Sequence, residues 1–223
     1  MTLLELIQRF RSDAFDLEQP YLFADSDVTH WLNDAVSEAA TRGRLIHECV
    51  NPAVCTIAVL PGISVYPLHE ALYEIEYICL FDEPMPSRAE TLVKVSQETL
   101  SDRWHDWRTR TGRPEYVVQH DTTIRLSPTP TNAAVINLEG YRVPLAPMVL
   151  NEDKPEISVI HHEQLIQWAL YKAFSKPDGE TFDPGRAEKA EYNFTDYFGE
   201  RPSSNLRRRT REDVPHSVKP HDI

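Results

Sequence analysis

The sequence predicts an α+β fold in which a four-helix bundle, built from both chain ends, carries an inserted antiparallel β-rich region and an extended C-terminal tail. Three observations lead there. Apolar residues recur at helical spacing near both ends. The middle is rich in β-branched and aromatic residues, cut by proline and glycine. The last residues hold almost nothing apolar. These textures divide the chain into an N-terminal helical hairpin (1–52), a β-rich region with one surface helix (53–150), a helical pair completing the bundle (151–200) and a basic tail (201–223).

Leu3, Leu6, Ile7, Phe10 and Ala14 predict a first helix that begins at Thr2. Residues 16–25, with Pro20, Tyr21 and Phe23, read as a connector. Ser26 is a good N-cap for a second helix, in which Val28, Trp31, Leu32, Ala35, Val36, Ala39 and Ala40 follow the i, i+3, i+4, i+7 pattern. That helix is expected to stop or bend near Gly43 and to resume to about Val50. Two amphipathic helices with a short link pack as a hairpin.

Residues 54–59, 64–67, 72–81 and 92–96 read as short strands, separated by Pro61-Gly62 and by residues 82–86. In the third of these, alternation puts Tyr73, Ile75 and Tyr77 on one face and Glu74 and Glu76 on the other. Residues 97–110 predict a surface helix carrying Leu100, Trp104 and Trp107, ended by Gly112-Arg113-Pro114. Residues 116–119 and 123–126 flank His120-Asp121-Thr122 as a tight hairpin. A stiff turn over 127–131 precedes a long strand over 134–143 and a loop over 144–155. A third long helix over 159–175 is apolar most of the way round and is therefore expected to be central. Asp183-Pro184 reads as an N-cap with proline at the first helical position. It opens a helix with Ala187, Ala190, Phe194, Tyr197 and Phe198 on one face, and Gly199 is placed to end it.

Composition narrows the function. No apolar run approaches the ~18 residues of a membrane span. The N-terminus lacks the basic region and small-residue cleavage site of a secretory signal, so a cytoplasmic product, or a particle component assembled there, is expected. Three cysteines, with no CxxC pair, suggest neither a disulfide framework nor a zinc ribbon; reduced and mostly buried thiols are expected. The formal charge is −12; residues 201–223 hold six basic and three acidic side chains, a balance of +3, which leaves −15 on the rest. An acidic body repels nucleic acid at long range, which suits a wall along which DNA slides without sticking. Seven glycines leave little for phosphate-cradling loops, and seventeen prolines suggest ordered turns.

The chemistry-bearing clusters each have a bland reading. His161-His162-Glu163 invites a metal, but adjacent helical side chains point about 100° apart, and no H-E-x-x-H or nearby cysteine accompanies them. Trp104-His105-Asp106-Trp107 suits a packing stripe or a subunit interface better than a catalytic unit, which needs separate segments to converge. Glu74 and Glu76 are explained by strand alternation. No catalytic residue, cofactor site or metal site is therefore assigned.

Several segments in order resemble the head-to-tail adaptor (head-completion) proteins of tailed phages, over roughly residues 1–200. They are Trp31-Leu32-Asn33-Asp34-Ala35; Leu60-Pro61-Gly62-Ile63 with Tyr66-Pro67-Leu68; Gly112-Arg113-Pro114-Glu115-Tyr116; Leu126-Ser127-Pro128-Thr129-Pro130; and Tyr141-Arg142-Val143-Pro144. A last block runs through Asp153-Lys154-Pro155-Glu156-Ile157, a histidine at 161 or 162, Leu165, Trp168-Ala169-Leu170 and Ala173.

The resemblance implies a structural virion protein of the neck, forming a ring, usually of twelve subunits, under the portal. Its partners would be copies of itself, the portal protein and a downstream tail or nozzle protein. Genomic DNA would pass through the lumen without sequence-specific binding, and no membrane is involved. It implies that an extended C-terminal segment grips the portal, here Arg201, Asn205, Leu206, Arg207, Arg208, Arg209, Arg211 and Val214. Trp104, Trp107, Pro128 and Pro130 are assigned to a tail-side or subunit interface. Two other readings stay open from the residues alone. One is a small hydrolase in which His105 or His161 meets a carboxylate; the other is a regulator whose basic tail binds nucleic acid.

Overall fold

The computed structural model describes residues 1–82, 89–177 and 181–203. The chain divides into two compact units, one formed by residues 1–46 with 142–202, the other by 47–141.

The first unit is helical. Helix α1 (Leu3–Ala14) opens on a capping box: the Thr2 hydroxyl accepts from the Glu5 amide, and the Glu5 carboxylate accepts from the Thr2 amide. Helix α2 (Asp25–Gly43) begins one residue before the expected cap. Its N-cap is Ala24, which has no side-chain oxygen with which to cap, and Asp25 in the first turn is engaged by Arg11. It ends at Gly43 and does not resume. Three later elements complete the unit: a 3₁₀ turn (Val159–Gln164), helix α5 (Leu165–Phe174) and helix α6 (Pro184–Phe198). Helices α3 (Pro52–Cys55) and α4 (Gln97–Arg103) belong to the second unit. The predicted helix over 159–175 is thus a 3₁₀ turn leading into an α-helix.

The four-helix bundle expected from the sequence is not supported. Helix α5 acts as a hub that touches α1, α2 and α6. Leu165, Ile166, Trp168, Ala169, Leu170, Ala173 and Phe174 are all buried on it, so it presents no single seam. A bundle requires each helix to offer one stripe to a shared core. Here the core is organised round one apolar helix, with the rings of Phe10, Phe23, Trp31 and Phe174 meeting edge to face or tilted at centroid distances of 5.6–6.0 Å.

The second unit is β-rich and includes two short helices. In chain order it contains β1 (His47–Glu48), α3 (Pro52–Cys55), β2 (Thr56–Val59), β3 (Val65–Pro67), β4 (Leu72–Asp82), β5 (Ala89–Thr91), β6 (Val93–Lys94), α4 (Gln97–Arg103), β7 (Thr111–Gly112), β8 (Tyr116–Gln119), β9 (Thr123–Ser127), β10 (Thr129–Pro130) and β11 (Ala134–Arg142). One sheet has the order β1-β11-β4-β5, with β2 also on β11; a second has the order β3-β9-β8-β6; β10 and β7 form a third. Most pairings are antiparallel, as expected, but β6 with β8 and β10 with β7 are parallel. The tight hairpin forms as predicted, with the His120 amide donating to the Thr123 carbonyl at 2.8 Å.

Two expectations fail within this unit. The surface helix stops at Arg103, because Trp104 is extended (φ −142°, ψ 114°), and residues 104–110 run on as turns. In β4 the alternation slips: Ile75, Ile78 and Leu80 are buried, while Glu76 and Tyr77 are both exposed. The burial of Ile75 is thus not repeated at Tyr77. The slip lies beside Gly140 of β11, where a β-carbon would stand 2.1 Å from the Glu74 carbonyl oxygen.

Candidate interaction surfaces

The motif segments turn out to be pins that hold loops. In the second unit, the Tyr66 hydroxyl bonds to the Leu60 amide, the Leu60 carbonyl and the Ile63 carbonyl, closing the Pro61-Gly62 turn. Gly62 sits at φ +79°, a conformation that favours glycine, and its amide donates to the Pro130 carbonyl at 2.8 Å. Pro130 is in turn registered against Gly112. Three segments far apart in sequence thus meet at one place.

In the first unit, Asn33 clasps the backbone of Met148. Its Nδ2 donates to the Met148 carbonyl at 3.0 Å and its Oδ1 accepts from the Met148 amide at 2.8 Å. Glu156 accepts from the Leu145 amide and pairs with buried Arg142. Asp153 accepts from the amides of Val149 and Leu150 at 2.8 and 2.7 Å, which holds its carboxyl below the usual carboxylate range. The loop over 144–157 is therefore fixed by polar groups, while Val149 and Leu150 stand exposed on it.

The α1–α2 connector repeats the pattern. Arg11 and Asp16 are buried at 6 % and 3 % exposure. Arg11 pairs with Asp16 at 2.6 Å, with Asp25 and with the Phe23 carbonyl, and lies 3.6 Å from the Tyr21 ring centroid. Asp16 also accepts from the amides of Leu22 and Phe23. The outcome is a rigid segment displaying Phe15, Leu17 and Leu22, each more than 60 % exposed.

The exit of the chain from α6 is also anchored. Arg42 lies over the Trp168 and Phe194 rings, pairs with Glu38 at 2.9 Å, and donates to the Thr195 hydroxyl and the Gly199 carbonyl. Arg201, largely exposed, reaches the same Glu38 at 3.5 Å. Of the residues assigned to portal binding, Arg201 is thus at the root. Asn205, Leu206, Arg207, Arg208, Arg209, Arg211 and Val214 lie outside the described residues.

The four residues assigned to a tail-side or subunit interface divide by burial. Trp107 is 2 % exposed, packs with Val95, Leu100 and Val118, and donates its indole N–H to Ser101 at 3.0 Å. Pro130 is buried as well. Both side chains are covered within their own unit. Trp104 and Pro128 are half-buried. What the sequence reading missed is the arginine set around the tryptophans: Arg103 and Arg110 over Trp104, at 4.7 and 5.3 Å, and Arg108 and Arg125 over Trp107, at 4.2 and 6.0 Å. Arg103 and Arg108 adjoin the tryptophans in sequence and were legible; Arg125 comes from β9 and was not.

The titratable clusters have structural partners. His105 and Asp106 are both exposed. His161 meets the Tyr197 hydroxyl at 3.2 Å. Buried His162 accepts from the Met1 ammonium at Nδ1 (2.8 Å) and donates from Nε2 to the Ile157 carbonyl (3.1 Å). Burial lowers its pKa, and the Met1 and His161 charges act the same way, against the two hydrogen bonds. Its folded value thus lies below its unfolded one, so between the two the unfolded chain binds more protons and stability rises with pH. The stabilising contribution is complete above the unfolded value of about 6.5 and is lost as pH falls towards the folded value. Thermal unfolding across a pH series should show a midpoint that is flat above about pH 7 and declines below about 6.5; His162→Gln should remove that decline. Among the described residues no group of three or more His, Cys, Asp or Glu side chains is placed to hold a metal ion. Cys55 and Cys79 are buried and Cys49 is exposed.

The sequence matches the family described as SU10 adaptor protein over residues 1–219. The chain belongs to that family. No curated protein matches it. The SU10 adaptor proteins are phage head-to-tail adaptors, structural components of the virion and not an enzyme family. Membership implies interaction with portal and tail proteins. No helix among the described residues is long and apolar enough to cross a membrane.

Proposed function

We propose that this SU10 adaptor protein forms the ring joining portal to tail in the virion neck, usually twelve copies in the family, with its C-terminal segment gripping the portal. The observation that carries this reading is the family match across residues 1–219. Two features of the chain support it. The C-terminal segment springs from an anchored root at Arg42, Glu38 and Arg201, while residues 204–223 carry five of the basic side chains. The rest of the chain is strongly acidic, which suits a lumen through which genomic DNA moves without adhering.

The attachment is one of avidity. A modest contact per subunit, repeated round a ring, gives a clamp far tighter than any single contact. Co-expression with the portal protein of the same genome tests the reading, with negative-stain images and native mass of the purified portal. An additional regular ring at one end of the portal is expected. A chain lacking residues 204–223 should keep the native circular dichroism and melting curve but wash off the portal. Retention equal to that of the intact chain would remove the gripping role from the tail.

A further inference from the structure

We propose that the arginine–tryptophan patch of one copy binds the acidic outer face of α6 on a neighbouring copy, so that subunits join head to tail through unlike surfaces. The inference rests on the ring reading above and adds the surfaces that build it.

Of the five arginines described in residues 47–141, four lie over the rings of Trp104 or Trp107. Arg103 also reaches the Tyr116 ring at 5.9 Å. The fifth, Arg113, pairs with Glu90 at 2.6 Å. Among the described residues none of the four has a carboxylate within ion-pair distance; Arg108 makes a long contact to Gln97 at 3.4 Å. Arg103, Arg108 and Arg110 are exposed. A guanidinium attracted to a ring face in this way engages no N–H in an ion pair there, so its fork stays suited to recognition of a carboxylate.

Charge identifies the occupant. Residues 97–127 carry five arginines and five carboxylates (Glu98, Asp102, Asp106, Glu115 and Asp121). The patch therefore has no net field with which to draw in a polyanion such as DNA, whose affinity depends on net positive charge. Discrete carboxylates can instead meet the forks at short range. The chain itself supplies them. Helix α6 exposes three carboxylates, Glu188, Glu191 and Asp196, against one cation, Lys189, with Tyr192 among them at 69 % exposure. At spacings of three and four residues Glu188, Glu191 and Tyr192 share one side of the helix, while Asp196 lies on its flank beside Lys189, seven residues earlier. None of the three carboxylates has an ion-pair partner among the described residues. Each copy thus owns both halves of a complementary contact, and a contact between unlike surfaces of identical chains closes into a ring when its rotation closes.

The test uses the full chain co-expressed with its portal, reading copies per portal by native mass. R108E/R110E and, separately, E188K/E191K should each lower ring occupancy at least tenfold, with melting curves unchanged. Combining all four substitutions should restore the ring. Either pair assembling like the wild type overturns the proposal, as does a folded quadruple variant that fails to recover. An intact ring in R108E/R110E with weakened binding of a duplex oligonucleotide would also overturn it, assigning the patch to DNA. A wild-type chain that forms no ring on the portal would overturn the ring reading and this proposal together.

Discussion

A Gly140→Val chain is expected to lose the native β unit or retain it only with a large drop in stability. Gly140 is buried in β11, beside β4. A β-carbon there would stand 2.1 Å from the Glu74 carbonyl oxygen, 3.0 Å from the Ile75 α-carbon and 3.1 Å from the Glu74 carbonyl carbon. All three are backbone atoms of a neighbouring strand, so no side chain can swing aside to admit it. Overpacking a core that can relax costs about 1–3 kcal/mol; here relief requires separating two strands, and the cost should exceed that range. Gly140→Ala already introduces the clash. Denaturant unfolding of both variants checks the expectation, and a wild-type midpoint for either would show that β4 and β11 are less closely apposed than the structure has them.

Arg11→Met should be the most destabilising substitution in the helical unit. It strands the Asp16 carboxylate at 3 % exposure with only the amides of Leu22 and Phe23 as donors. Breaking a buried ion pair from one side costs about 3–5 kcal/mol. Replacing both partners with apolar side chains should cost markedly less, because no buried charge is left unpaired. Chemical denaturation of Arg11→Met, Asp16→Leu and the double variant measures the coupling directly. A double variant that loses the sum of the two single losses would mean that Arg11 and Asp16 do not act as a pair. A second consequence separates this site from an ordinary core defect: the connector carrying Phe15, Leu17 and Leu22 should gain amide hydrogen exchange in Arg11→Met, because its backbone is tied through Asp16.

What the sequence made legible was governed by local rules. Thr2, Asp183-Pro184 and Gly199 mark helix ends through contacts within a few residues, and the hairpin round His120-Asp121-Thr122 closes on itself. The failures involve distant partners. The parallel pairs β6 with β8 and β7 with β10 leave no trace in period-two alternation. The slip in β4 lies beside Gly140, more than sixty residues away. Trp104 and Trp107, three apart, read as a helical stripe, yet the backbone leaves the helix at Trp104 and turns Trp107 into its own core. The hub role of α5 was foreseen from its apolar girdle, whereas the bundle inferred from helix count was not supported. Pattern reports which faces are buried; it does not report how many neighbours bury them. The motif segments behave similarly. Asn33 and Tyr66 stood out as letters in an order, and their work as clasps on Met148 and on the Pro61-Gly62 turn became visible only with their acceptors in place.

The junction where Arg42 and Glu38 hold the end of α6 fixes an origin for everything downstream. A polypeptide spans at most about 3.3–3.6 Å per residue, so the twenty residues after Ser203 define a leash with a radius of about 70 Å. If they grip the portal as proposed, the gripped surface must lie inside that sphere, whose centre is tied to α2. Without that mooring the sphere would lose its fixed centre, and the effective concentration of anything tethered there would fall at any target inside it.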